Sequence, residues 1–190
     1  MSHQPSAHLV LPLESCSDPA LVGGKAAGLG LLLRNGFRVP PGVCVTTLTY
    51  RETMQAAGLD LSTQENHIRR ASDTARGPML EQCRRLIASF TLPQPLLGLL
   101  NQELDRLGVS PDTLLAVRSS AADEDMAKTT CAGQYRTLLG IRRDSVPSAI
   151  LDCWASLWTS TSFAYRSHVT KSASVPAMAG TEALFVTWLR

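Results

Sequence analysis

Two stretches of this 190-residue chain set cations beside glycines and serines in patterns that suit a bound anion. In the first, Leu21-Val22-Gly23-Gly24-Lys25-Ala26-Ala27-Gly28-Leu29-Gly30-Leu31-Leu32-Leu33-Arg34, the second half reads as a helix stopped by Asn35-Gly36. Its four glycines within eight residues weaken a helix by about 1 kcal/mol each against alanine, so the backbone there has reason to come close to something. A glycine-rich helix start containing a lysine offers N–H groups and a positive charge to phosphate oxygens. The same small residues also suit a helix packed tightly on a sheet with Lys25 merely solvated, and the local sequence leaves both readings open. The stretch is not a Walker A loop, since Ala26 follows the Gly-Lys pair, and it holds no G-x-G-x-x-G fingerprint.

The second stretch opens with an apolar run, Leu114 to Ser120, that closes in Arg118, Ser119 and Ser120. The acidic Asp123, Glu124 and Asp125 follow, then Ala132-Gly133-Gln134, then a second apolar run from Leu138 to Ile141. That is the outline of two strands joined by a polar, glycine-containing loop. A buried strand should not end in arginine without a partner for the charge, because an unpaired buried charge is costly. A phosphate is one such partner. Ser119 and Ser120 either add hydroxyl donors or simply end the strand. An acidic run in a loop is ordinarily solvated, and that reading is preferred here over a set of metal ligands.

The elements that must position these residues follow from periodicity and punctuation. Residues 9–13 suit a short strand. Val39-Pro40-Pro41-Gly42 forces a turn into the β-branched run Val43 to Thr47. Tyr50 to Ala57 reads as a short helix closed by Gly58. Ser62-Thr63-Gln64-Glu65 has capping-box spacing, which predicts a helix start there and a break near Gly77-Pro78. Leu80 to Phe90 is helical, and Leu96, Leu97, Leu100, Leu104 and Leu107 share one face of a helix ending at Gly108. Val146, Ile150, Trp154, Leu157 and Trp158 follow helical spacing, and two tryptophans on one stripe read as core rather than as a ligand site. Ser160-Thr161-Ser162 caps a further helical turn, Phe163 to His168. His168 has no carboxylate or cysteine beside it, so no catalytic role is argued for it.

Composition narrows the classes. An apolar fraction of 44% and a charged fraction of 18% are those of a globular protein of one domain, with a small appendage at most. The net charge is +2 and the basic residues are spread out, which disfavours a nucleic-acid surface. Cys16, Cys44, Cys83, Cys131 and Cys153 form no C-x-x-C pair and have no histidine at ligand spacing, so reduced thiols are expected and a zinc site is not. No secretory or membrane-spanning segment is read, which makes the cytoplasm the expected compartment.

Taken together, Gly23-Gly24-Lys25-Ala26-Ala27-Gly28-Leu29-Gly30, Val39-Pro40-Pro41-Gly42, Val117-Arg118-Ser119-Ser120-Ala121, Glu124-Asp125 and Ala132-Gly133-Gln134-Tyr135-Arg136-Thr137 resemble one family in order and spacing. It is the N-terminal nucleotide-binding domain of phosphoenolpyruvate synthase, pyruvate phosphate dikinase and rifampicin phosphotransferase. Trp154-Ala155-Ser156-Leu157-Trp158, Ala164-Tyr165-Arg166 and Val175-Pro176-Ala177-Met178-Ala179 continue the likeness, which runs from about Leu21 to Ala179.

The resemblance implies an α+β chain, the N-terminal part of an ATP-grasp fold whose second lobe is absent. The implied division is an N-terminal strand and turn over 1–20, the ATP-grasp portion over 21–179 and a divergent tail over 180–190. It also implies an enzyme type that uses ATP to phosphorylate a histidine on a separate domain, for transfer to pyruvate or an antibiotic hydroxyl. Lys25 resembles the lysine that contacts ATP phosphates and Arg118 the arginine that holds them, facing each other across a cleft floor. Gly133, Gln134 and Thr137 match the loop that covers the triphosphate. Such roles agree with phosphoryl transfer, which needs charge neutralisation and positioning above all. ATP is the implied cofactor, with Mg²⁺ in the full family domain held by ligands outside this chain. No catalytic residue is assigned.

After Ala179 the family continues as a strand passing the adenine, and here the sequence departs. The tail is expected to have no structure of its own, as in a truncated or misjoined gene product. The implied partners are ATP and either the phosphohistidine and substrate domains or a full-length relative; no nucleic acid or membrane is among them. The isolated chain is expected to bind ATP weakly or not at all and to turn nothing over. The alternative is a non-catalytic regulatory or interaction fragment that keeps the fold.

Overall fold

Val43 and Val45 alternate with Cys44 along β2 (Gly42–Val45), and every residue of this strand is buried. A strand buried on both faces needs a layer on each side. The computed structural model, which describes residues 9–121, 136–172 and 182–188, supplies both layers. The described strands form one sheet, in the order β1 (Val10–Pro12), β2, β5 (Glu182–Trp188), β3 (Leu115–Ala121) and β4 (Thr137–Ile141). Every neighbouring pair is antiparallel.

One face carries α1 (Pro19–Arg34), where Val22 and Ala26 pack with Leu13, Cys16, Cys44, Ala183 and Phe185. The other face carries the larger core, in which Val43, Val45, Leu115, Val117 and Val186 meet the helical layer. That layer comprises α2 (Thr47–Ala56), α3 (Leu61–Arg70), α4 (Asp73–Ser89), α5 (Gln94–Arg106), α6 (Val146–Ser156) and α7 (Ser160–Ser172). The chain is α+β.

The leucine stripe behaves as its spacing predicts: Leu96, Leu100 and Leu104 of α5 are buried, and Gly108 ends the run with φ at 71°. Trp154 and Trp158 are fully buried. The Trp158 indole N–H donates to the Tyr50 hydroxyl at 3.1 Å, and the Tyr50 and Trp154 rings lie 5.2 Å apart. The Trp158 donor is thus satisfied in the core, whereas the buried Trp154 indole nitrogen has no hydrogen-bond partner among the described residues.

Three expectations change. The α3 start is capped by Asp60, whose carboxylate accepts from the Thr63 N–H at 3.0 Å, rather than by a box at Ser62. The helix break falls at Ala71-Ser72, where the Ser72 hydroxyl accepts from the Ala75 N–H, and α4 runs on through Pro78. Pro78 is the sixth residue of α4, so it forgoes one backbone hydrogen bond in the second turn without ending the helix. The third change is larger. The tail expected to lack structure supplies β5, the central strand, paired with β2 on one side and β3 on the other. Its alternation explains this: Ala183 and Phe185 face α1, while Val186 faces the helical layer.

A buried ion pair on α3 offers a test of the helical layer. The Glu65 carboxylate, 3% exposed, accepts from Arg69 at 2.6 Å, and the Arg69 guanidinium lies over the Phe163 ring. Arg69→Met is expected to destabilise the fold by about 3 kcal/mol, because it strands a buried carboxylate, and adding Glu65→Leu should recover most of the loss. Urea unfolding of the single and double variants measures this.

Candidate nucleotide-phosphate site

The lysine-bearing helix is two helices joined at a kink. Asp18 caps the first turn, its carboxylate accepting from the Ala20 N–H at 2.9 Å. At Gly23 the backbone turns to φ 75°, ψ 159°, a conformation open essentially to glycine alone, and the helix then restarts. The kink seats the restart on β3. A Cβ at Gly23 would lie 2.0 Å from the Ser120 carbonyl oxygen and 2.3 Å from its hydroxyl. Three residues on, the Ala26 N–H donates to that same hydroxyl at 3.1 Å, across 94 positions of sequence. A helix start leaves its first N–H groups without intrahelical partners, and Ser120 caps one of them from the sheet.

Gly30 makes the second close approach, with a Cβ there falling 2.2 Å from the Cys16 carbonyl and 2.6 Å from that of Leu13. Gly23 and Gly30 therefore serve tight packing of protein on protein, the second of the two readings left open by the sequence. At Gly28 an added Cβ would meet nothing within 4 Å. Lys25 is half-buried, beside the sheet-facing stripe of Val22, Ala26 and Gly30. Beneath it, Cys44 is fully buried and its sulfur contacts the Val22 carbonyl at 3.7 Å. Burial pushes the Cys44 thiol well above its ordinary range, while its hydrogen bond to Cys16 lowers the Cys16 thiol.

Arg118 corrects the premise that drew attention to it. Along β3, Leu115, Val117 and Ser119 are buried against the helical layer, whereas Ala116, Arg118 and Ser120 alternate toward α1. There α1 covers Phe185 and Ser120, but toward β4 no described element covers the face and Arg118 is exposed. Its guanidinium sits 5.4 Å from the centre of the Phe185 ring, so the side chain lies over an aromatic face with its charge in solvent. The sequence reading of a buried charge in search of a counter-ion is wrong: the apolar run told of the strand and not of which side of it is covered.

Thr137 stands directly opposite Arg118 in the β3–β4 ladder and is exposed on the same open strip, as is Leu139. The fold thus gathers the Lys25 turn, Arg118 and Thr137 on one face of the sheet, at the end of β3 from which the chain enters 122–135. Gly133 and Gln134 lie outside the described residues, as do Asp123, Glu124 and Asp125. Among the described residues, no group of three or more His, Cys, Asp or Glu side chains is placed to hold a metal ion, and no helix is long and apolar enough to cross a membrane. Sequence reasoning missed two contacts. Ser120 acts as a cap for a distant helix, where the open choice had been donor or strand end, and Phe185 supplies the surface under Arg118. A lysine and an arginine carried on one side of the sheet are charges that suit a polyanion.

Comparison with known proteins bears on the same residues. Positions 19–180 match the family described as pyruvate phosphate dikinase, AMP/ATP-binding domain. A rifampicin phosphotransferase of Streptomyces sviceus is 39% identical over 157 residues, covering 79% of this chain and 18% of that protein. A probable phosphoenolpyruvate synthase of Staphylothermus marinus is 33% identical over 159 residues, covering 78% of this chain and 19% of the relative. The prodigiosin synthesizing transferase PigC of Serratia marcescens is 35% identical over 146 residues, covering 74% and 14%. The chain spans about a fifth of the length of such relatives.

Proposed function

We propose that this chain, which belongs to the pyruvate phosphate dikinase AMP/ATP-binding domain family, is the phosphate-gripping part of an ATP-grasp site in a phosphoenolpyruvate synthase-like phosphotransferase. The observation that carries the reading is the seating of the Lys25 turn on Ser120, in the strand that holds Arg118. Lys25 acts as a point charge on the ATP phosphates, and Arg118, which forms no ion pair with another described residue, can meet two phosphate oxygens at once. Gly133 and Gln134, together with Thr137 at the start of β4 beside Arg118, are proposed to cover the triphosphate.

In the complete enzyme, ATP would phosphorylate a histidine on a separate domain, and the group would pass on to pyruvate, an antibiotic hydroxyl or another acceptor. The names of the relatives support this range of acceptors and do not choose among them. The described residues do not fit Mg²⁺, since they bring no set of carboxylates together; no step is assigned through it. Because the aligned part is about a fifth of the relatives, this chain by itself is proposed to bind ATP weakly, in the cytoplasm, and to turn nothing over. One observation favours a second reading, a non-catalytic regulatory or interaction role. The family match ends at residue 180, while β5, wholly beyond it, completes the sheet.

The test is a titration of the isotope-labelled chain with ATP and Mg²⁺, followed by NMR. Shifts are expected at Gly24–Ala27, Arg118–Ala121 and Arg136–Thr137. Lys25→Ala and Arg118→Ala should each weaken binding by about tenfold, the loss of about 1.4 kcal/mol. Shifts elsewhere, or affinities unmoved by both substitutions, would refute the site. Micromolar affinity together with histidine phosphorylation of an added partner would refute the lack of turnover.

A further inference from the structure

We infer that Ser120 is a positioning residue for phosphate binding: its hydroxyl locks the restart of α1 in register with β3 and thereby sets the spacing of Lys25 from Arg118. The purpose of that spacing rests on the nucleotide reading above; the latch itself rests on geometry alone.

Ser120 is fully buried, and a buried hydroxyl without a partner is costly. Its oxygen is engaged by the Ala26 N–H at 3.1 Å, while its carbonyl abuts the bare α-carbon of Gly23. These contacts do different things. The Gly23 approach fixes how close the helix lies to the strand. The Ala26 hydrogen bond fixes the helix's rotation about its own axis and its register along β3. Both points of contact on α1 are within one turn, and both meet the same residue of the strand. A slip of one residue in either element breaks both together.

Lys25 directly precedes Ala26 in the helix, and Arg118 is two residues before Ser120, on the same face of the sheet. The latch therefore sits between the two cations in a covalent and hydrogen-bonded path that joins them. A polyphosphate presents charges at fixed intervals, so two cations grip it well only when their own separation is set beforehand. Lys25 is carried by a helix that packs on the sheet through its small residues, and Arg118 by the sheet itself. Removing the hydroxyl would leave the packing and both charges, and loosen only their relation. It would also leave the Ala26 N–H buried with no acceptor, which favours a shifted turn.

The experiment compares the unmodified chain with Ser120→Ala, Lys25→Ala and the double variant. In the absence of ligand, amide hydrogen exchange at Ala26 is expected to be at least about tenfold faster in Ser120→Ala, with Leu31–Leu33 of α1 and Val43–Val45 of β2 unchanged. With ATP, Ser120→Ala is expected to weaken binding about tenfold, and to have no further effect once Lys25 is alanine. A residue that only holds the fold together would lower affinity equally in both backgrounds, and that result overturns the inference, as does unchanged exchange at Ala26. If the unmodified chain binds no ATP even at millimolar concentration, the nucleotide reading falls, and the exchange arm alone judges the latch. Ser120→Cys, close in size but only a weak acceptor, gives the same pattern should the alanine variant fail to fold.

Discussion

Replacing Gly23 by alanine is expected to destabilise the protein by about 2–6 kcal/mol, enough to loosen α1 from the sheet. Two penalties combine. The backbone at φ 75°, ψ 159° is closed to side chains at a cost of about 1–3 kcal/mol. The new methyl would also stand 2.0 Å from the Ser120 carbonyl oxygen, a backbone atom held in the ladder with β5 that cannot swing aside; relieving such overpacking costs about 1–3 kcal/mol more. Gly28→Ala is the internal control. It lies in the same helix, its added methyl meets nothing within 4 Å, and the residue gains helix propensity, so stability should rise by about 0.5–1 kcal/mol. Urea unfolding of the two variants should thus move in opposite directions. Equal effects would mean that the kink does not exist.

The second large effect is expected on the other face of the sheet. Trp158→Ala removes a fully buried indole from the main core and should cost about 3–5 kcal/mol, part of it because the buried 3.1 Å hydrogen bond to the Tyr50 hydroxyl is lost. Trp158→Phe keeps most of the volume and should cost clearly less. The two faces are also separable in function. Under conditions where the Trp158→Phe protein stays folded, it should keep the ATP-dependent shifts around Lys25 and Arg118, since no described contact of Trp158 reaches α1. Thermal unfolding gives the first comparison and the NMR titration the second.

Sequence by itself determined a good deal about this protein, and for a physical reason: helices and strands announce themselves through the spacing of the residues they bury. The leucines of α5 and Val146, Ile150 and the tryptophans of α6 and its C-terminal turn are legible one face at a time, and both glycine stops after α1 and α5 sit where the chain needs positive φ. The order of the glycine-lysine, arginine-serine and tryptophan segments was enough to identify the family.

Only the tertiary structure decided the rest. Periodicity states which side of an element is apolar, and says nothing of what lies opposite. Arg118 looked buried because its strand is apolar, yet it is exposed beside Phe185, a residue 67 positions away in a tail that had looked structureless. That tail became β5 because strand pairing is non-local: β2 and β3 cannot be adjacent to each other when a third strand, alternating toward both layers, fits between them. The glycines around Lys25 pointed rightly to a close approach. What two of them approach, the Ser120 and Cys16 carbonyls, has no local signature, because the partner of a missing side chain is written elsewhere in the chain.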